Sequence, residues 1–317
     1  MAAIGFSARL WSRTAQIRRA TSNFKRVALR IGSRVSPNKG IPSSVAGTRL
    51  ALGNRLYLQR CRVEQKWPQQ LWIVRHGQSA GNVARDSAEA ARLPLIDIAE
   101  RDIDVPLSLL GEQQSVALGH WFGTLPRAAQ PNVVLCSPYV RARSTARLVV
   151  EAAGVAADSH ILHSDERLRE KEFGILDRLT TFGIRERHPE LSEQRAHVGK
   201  FYFRPPGGES WCDVILRLRS VIDTMTREYR GERVLIVAHQ VIVNCFRYLL
   251  ERMDEAQILD LDRAADVPNC AVMHYELDRT QGKNGKLVTR LIHFVAPLAE
   301  TGTPITTEAD VPAAPKP

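Results

Sequence analysis

From residue 67 to about 297 the sequence alternates short apolar runs with longer amphipathic stretches, and this alternation constrains the fold more than any other feature. The runs Leu71–Arg75, Val133–Cys136, Ile161–Leu162, Val234–Ala238, Ala271–Leu277 and Leu287–Phe294 are short, apolar and rich in Val, Ile and Leu. Such runs predict strands buried in a sheet. The stretches between them predict helices. One begins behind Ser108, which precedes Glu112 and Leu118 and can cap it. Others run from Val140 to Ala153 with Gly154 as a stop, from Ser210 to Tyr229, and from Gln240 to Arg252. Strands alternating with helices predict three layers, α/β/α, with a mostly parallel sheet and helices on both faces. No internal repeat breaks the span, so 67–297 reads as one domain. Glu170 to Pro206 is its least regular part and predicts a small helical cap inserted over one end of the sheet.

In open α/β sheets, ligands bind beyond the carboxyl ends of the strands. Three predicted strand ends carry conspicuous polar residues: Arg75-His76 after "LWIV", Ser137 and then Arg141 after "VVLC", and His239 after "VLIVA". Charge at the end of a buried strand is costly unless something of opposite sign meets it. Two convergent guanidinium forks match the oxygens of a phosphate or carboxylate, and helices starting directly after these strands add N–H groups. Such cations would repel a metal ion, and no Asp/His/Cys cluster surrounds the histidines, so no metal is expected. One imidazole can instead attack phosphorus and carry a covalent phosphoryl group. The other, with the arginines, can stabilise the charge in transfer. An alkoxide leaves poorly without a proton, and "LREKEFG", Leu168 to Gly174, offers Glu170 and Glu172 as acids.

The flanks differ from this domain. Residues 1–63 hold 13 of the 44 Lys and Arg and no Asp or Glu, leaving 31 basic residues against all 34 acidic ones. The net charge of +10 therefore belongs to the leader, and nucleic-acid binding is not expected of the nearly neutral domain. Residues 1–66 read as a basic, disordered leader, and the chain as cytoplasmic. The acid-poor, Arg- and Ser-rich composition with Leu10, Ile17, Phe24 and Ile31 every seven residues also fits a mitochondrial or plastid transit peptide. Residues 298–317 are rich in Pro, Thr and Ala and read as a disordered tail. No run reaches the roughly 18 apolar residues of a membrane span. Five scattered cysteines without a CxxC pair suit a reducing compartment rather than a disulfide framework.

Five segments, in order, resemble the histidine phosphatase superfamily, whose fold is described as phosphoglycerate mutase-like. Arg75, His76, Gly77, Ser79 and Asn82 match the pattern R-H-G-x-S-x-x-N. "LSLLGEQQ", "SPYVRARSTA", "LREKEFG" and "VLIVAHQ" match the segments that follow it in the family. The resemblance implies His76 as a phosphorylated nucleophile and Glu170 as proton donor. It places Arg75, Asn82, Arg141 and His239 around the phosphoryl group, and requires no cofactor. Lys200 matches a lysine upstream of P-G-G-E-S in fructose-2,6-bisphosphatase domains, and Gln240 and Ser79 join it as candidate substrate contacts. Trp211 stands where tyrosine is usual, and Asn244 replaces a sugar-phosphate arginine. The implied activity is a metal-independent phosphomonoesterase acting on a small phosphorylated metabolite. The alternatives are a cofactor-dependent phosphoglycerate mutase and a non-catalytic protein-binding member of the fold.

Overall fold

The computed structural model describes residues 66–154 and 161–307; the leader lies outside the described residues. Six strands form one sheet in the order β3-β2-β4-β1-β5-β6: β1 Gln70–Arg75, β2 Val133–Cys136, β3 Ile161–Ser164, β4 Arg233–Ala238, β5 Val272–Asp278 and β6 Lys286–Phe294. The first four in that order run parallel, whereas β5 pairs antiparallel with both β1 and β6. The sheet is thus mixed, with its four parallel strands on one side. At the centre, β1 places Arg75 opposite Ala238 of β4 and Val74 opposite Val272 of β5.

Alternation along the strands explains the layers. Leu71 and Ile73 of β1, with Val234 and Ile236 of β4, face one core; Trp72 and Val74, with Leu235 and Val237, face a second. Each side chain of that kind buried contributes roughly 1.5–3 kcal/mol, so a one-residue register slip would exchange both cores at once. Helices α6 (Trp211–Glu228) and α7 (Gln240–Glu251), with Ile258 of α8 (Glu255–Ala264), cover the first face. Helices α2 (Leu109–Thr124) and α3 (Val140–Ala152) cover the second. Ser108 caps α2 through the Gly111 N–H, Ser210 and Asp213 form a capping box on α6, and Gly154 (φ +63°) follows α3.

Among the described residues, two helices besides the C-terminal one described below escape the sequence reading. One is α8; the other is α1 (Ala80–Ala90), whose first turn holds two weak helix formers, Gly81 and Asn82. A reciprocal capping box between Ser79 and Asn82 fixes its start. The cap contains α4 (Thr181–Arg187) and α5 (Pro189–Val198), packed on their own small core of Leu176, Leu179, Ile184, Leu191 and Phe203.

The domain boundary expected after residue 297 is too early. Helix α9 (Ala296–Glu300) buries Leu298 fully in the second core. Beyond it, Thr306 O accepts the Asn269 N–H (2.9 Å), and Pro304 O accepts from Gln114 Nε2 (2.9 Å). The Thr- and Pro-rich composition conceals these partners because they lie elsewhere in the chain.

Candidate active site

Helices α1, α3 and α7 all begin at the sheet edge where β1, β2 and β4 end, so three helix N-termini face one region. The loop leaving β1 is held tightly there. A Cβ on Gly77 would lie 2.4 Å from Gly111 O, and one on Gly111 would lie 2.0 Å from Gln78 O. Only glycine allows α2 to approach so closely. Gln114 Oε1 accepts the Gln78 N–H (2.9 Å), and Thr145 Oγ1 accepts the Gly77 N–H (3.0 Å). The G-x-x-Q and R-x-x-x-T spacings on α2 and α3 therefore build the support of this loop.

His76 is buried, and its Nδ1 lies 2.7 Å from Gly77 O. A carbonyl only accepts, so Nδ1 carries the proton and Nε2 carries the lone pair. Arg141 Nε donates to that Nε2 at 3.3 Å. The His76 and His239 rings stand edge to face with centroids 5.1 Å apart. His239 Nε2 is 2.7 Å from Ser137 Oγ, and its Nδ1 is 3.8 Å from Glu170 Oε2. Burial, then the charges of Arg141, His76, Arg217 and Arg75, push the His239 pKa well below the imidazole range. It is neutral at pH 7.

Arg75 is fully buried; its Nη1 donates to Val267 O (2.6 Å) and Gln240 Oε1 (3.1 Å), and Gln240 in turn donates to Asp266. Gln240 thus sits beside Arg75 as a positioning residue. Antiparallel β5 makes this possible, because its preceding segment, rather than its following one, reaches β1's exit. Asn269 Nδ2 donates to His76 O (3.0 Å), and Cys270, at φ +54°, donates its N–H to Arg75 O (3.0 Å).

The two acid candidates separate. Glu170 is buried, accepts the Lys171 N–H on Oε1 and turns Oε2 to His239. Glu172, 45% exposed, lies 3.5 Å from Arg169 and accepts from the Tyr139 hydroxyl. Glu209 locks this segment: it accepts from Arg169, Arg217 and the Glu172 N–H, while Arg217 Nη2 donates to Glu170 O. Beside Glu170, burial pushes the Lys171 ammonium down to about 8.

The cleft outside His76 is lined by Ser79, Asn82, Arg141, Phe173 and Asp102, among others. Asn82 spends its Oδ1 on Ser79, in the capping box. Lys200 pairs with Asp262 of α8 against the Trp211 ring and is not among the residues lining this cleft. Asp102 was not anticipated. It lies in the 91–107 connection between α1 and α2, with no local signal, and its Oδ1 is 3.0 Å from Arg141 Nη1. No cluster of His, Cys, Asp and Glu that could hold a metal occurs among the described residues.

A buried imidazole pair flanked by two guanidiniums thus stands at the ends of parallel strands in an α/β fold. By its match to the model of the histidine phosphatase superfamily (branch 1) over residues 71–288, the chain belongs to that family. It is 30% identical over 197 residues to a 6-phosphofructo-2-kinase/fructose-2,6-bisphosphatase of Caenorhabditis elegans, covering 61% of this chain and 37% of that one. It is 26% identical over 254 residues to the phosphoglycerate mutase-like protein AT74H of Arabidopsis thaliana (74% and 82% covered). Among solved structures, a mycobacterial glucosyl-3-phosphoglycerate phosphatase superposes with a TM-score of 0.54 at 24% identity, covering 71% of this chain and 98% of that one.

Proposed function

We propose that the chain is a metal-independent phosphomonoester hydrolase acting on a small phosphorylated metabolite. The observation that carries the reading is the His76 tautomer: its proton is tied to Gly77 O, and its Nε2 lone pair faces Arg141. Nε2 attacks phosphorus and the bond to the leaving oxygen breaks. Glu170, protonated, gives that oxygen its proton. Water then attacks the phosphoryl-histidine while the Glu170 carboxylate takes the water's proton, which returns both groups to their starting states. Arg75, Arg141, His239 and the N-termini of α1, α3 and α7 supply the positive field in which the phosphoryl oxygens sit. The names of the relatives, which speak of fructose-2,6-bisphosphate and glucosyl-3-phosphoglycerate, support a small phosphate ester as substrate.

The test is His76→Ala assayed on an aryl phosphate, with wild-type enzyme quenched during turnover and its peptides searched for phosphohistidine. The variant should lose turnover by at least a thousandfold with its melting temperature kept, and the label should fall on His76. Turnover retained by the variant dismisses His76 as nucleophile. Transfer of the phosphoryl group to a second sugar or acid hydroxyl in preference to water would make the enzyme a mutase instead.

A further inference from the structure

Arg141 carries two loads. Its Nε faces the His76 Nε2 lone pair, and its Nη1 is engaged by one residue, Asp102. The Asp102 carboxylate lies 3.0 Å from Nη1, and the Asp102 backbone carbonyl accepts from the same nitrogen at 2.5 Å. Arg141 is almost fully buried, whereas the Asp102 side chain is 41% exposed at the mouth of the cleft. A carboxylate thus sits on the guanidinium that the reading above assigns to the phosphoryl group.

We propose that Asp102 is an intramolecular competitor for Arg141, displaced by the incoming phosphoryl group, and that it sets the affinity of the site. This rests on the phosphatase reading above. A phosphoryl dianion and a carboxylate cannot share one Nη1 without repulsion, so binding requires the carboxylate to swing out. It has room to do so, being half-exposed. Removing it does not unmoor Arg141, because the backbone carbonyl of residue 102 and the His76 nitrogen still hold the fork. The loop is also anchored independently of the carboxylate: Arg178 Nη2 donates to the Glu100 carbonyl (2.5 Å), and Pro106 O accepts the Ala80 N–H (3.0 Å). Asp102 therefore acts on the strength of binding while the loop stays in place.

The experiment is equilibrium titration of orthophosphate into the full chain, its Asp102→Asn and Asp102→Ala variants, and Arg141→Ala, with steady-state kinetics on an aryl phosphate alongside. Both Asp102 variants should bind orthophosphate about threefold to tenfold more tightly than wild type, the range expected for releasing a half-exposed ion pair and its repulsion. KM should fall by a similar factor without a rise in kcat. Unchanged or weaker orthophosphate affinity in both variants, with their melting temperatures intact, overturns the proposal and leaves Asp102 as an aid to Arg141. The Arg141→Ala arm tests the underlying reading separately: if it binds orthophosphate as well as wild type, the anion sits elsewhere and the phosphatase assignment of this pocket fails.

Discussion

At the residue scale, two glutamates two positions apart end in different environments, because Arg217 and Glu209 fix the backbone between them. Glu170 is buried against His239, and Glu172 is half in solvent beside Arg169. Glu170→Gln should therefore slow an alkyl phosphate by about a hundredfold or more and an aryl phosphate far less, since a phenolate departs with little protonation. Steady-state rates on the two ester types check this; equal slowing of both would move the acid role to Glu172. The residues legible beforehand share one property: Arg75, His76, Arg141 and His239 each follow a hydrophobic strand within a few positions, so local pattern exposes them. Asp102 and Asn269 lack that signature. Their importance comes from what they meet, Arg141 and the His76 carbonyl, and no local pattern encodes a partner many residues away. Gln240 was legible as a site residue, but its contact is with Arg75.

At the element scale, strand positions were readable from apolar runs, whereas the direction of β5 was not. Burial along β5 alternates, with Met273, Tyr275 and Leu277 buried between the partly buried His274, Glu276 and Asp278; such alternation reads alike in either direction, and here the antiparallel choice brings Val267, Asn269 and Cys270 to β1's exit. The segment after α9 extends the same support. Thr306 Oγ1 donates to Asn269 Oδ1 (2.8 Å), while Gln114, which holds the Gln78 N–H, donates to Pro304 O. Truncation before Thr303 leaves Leu298 and both cores intact, so the fold should persist with a loss of about 2–4 kcal/mol, the scale of the four hydrogen bonds that join Pro304 and Thr306 to Gln114 and Asn269. The expected outcome is a kcat reduced roughly tenfold with a modest change in melting temperature. A truncated enzyme with full kcat would remove this segment from the site's support.

At the scale of the whole molecule, one buried and two partly buried histidines contribute to acid stability. Burial pushes His274, stacked on Trp72, down to about 4, lowers His293, and holds His239 well below imidazole's ordinary 6.5. In the unfolded chain all three bind protons below pH 6.5, so the unfolded state takes up more protons than the native one there. Stability is therefore complete above about pH 6.5 and is lost progressively as pH falls toward 4. Thermal melts between pH 7 and 4.5 should show the decline. His274→Phe, which keeps a ring on Trp72, should flatten it; an unaltered slope would exclude His274 as a contributor. Carboxylates held low by partners, such as Glu209 and Asp213, add their own loss only below about 4.5.

The central position of β1 has a kinetic corollary. Its two neighbours, β4 and β5, are made only when translation has passed Arg233 and Val272. The apolar segment bearing His76 therefore leaves the ribosome long before either edge it will join exists. Such distant pairings carry a large loop-closure entropy and slow the search for the native state. Nascent chains stalled before β4 should thus engage chaperones at Leu71–Val74.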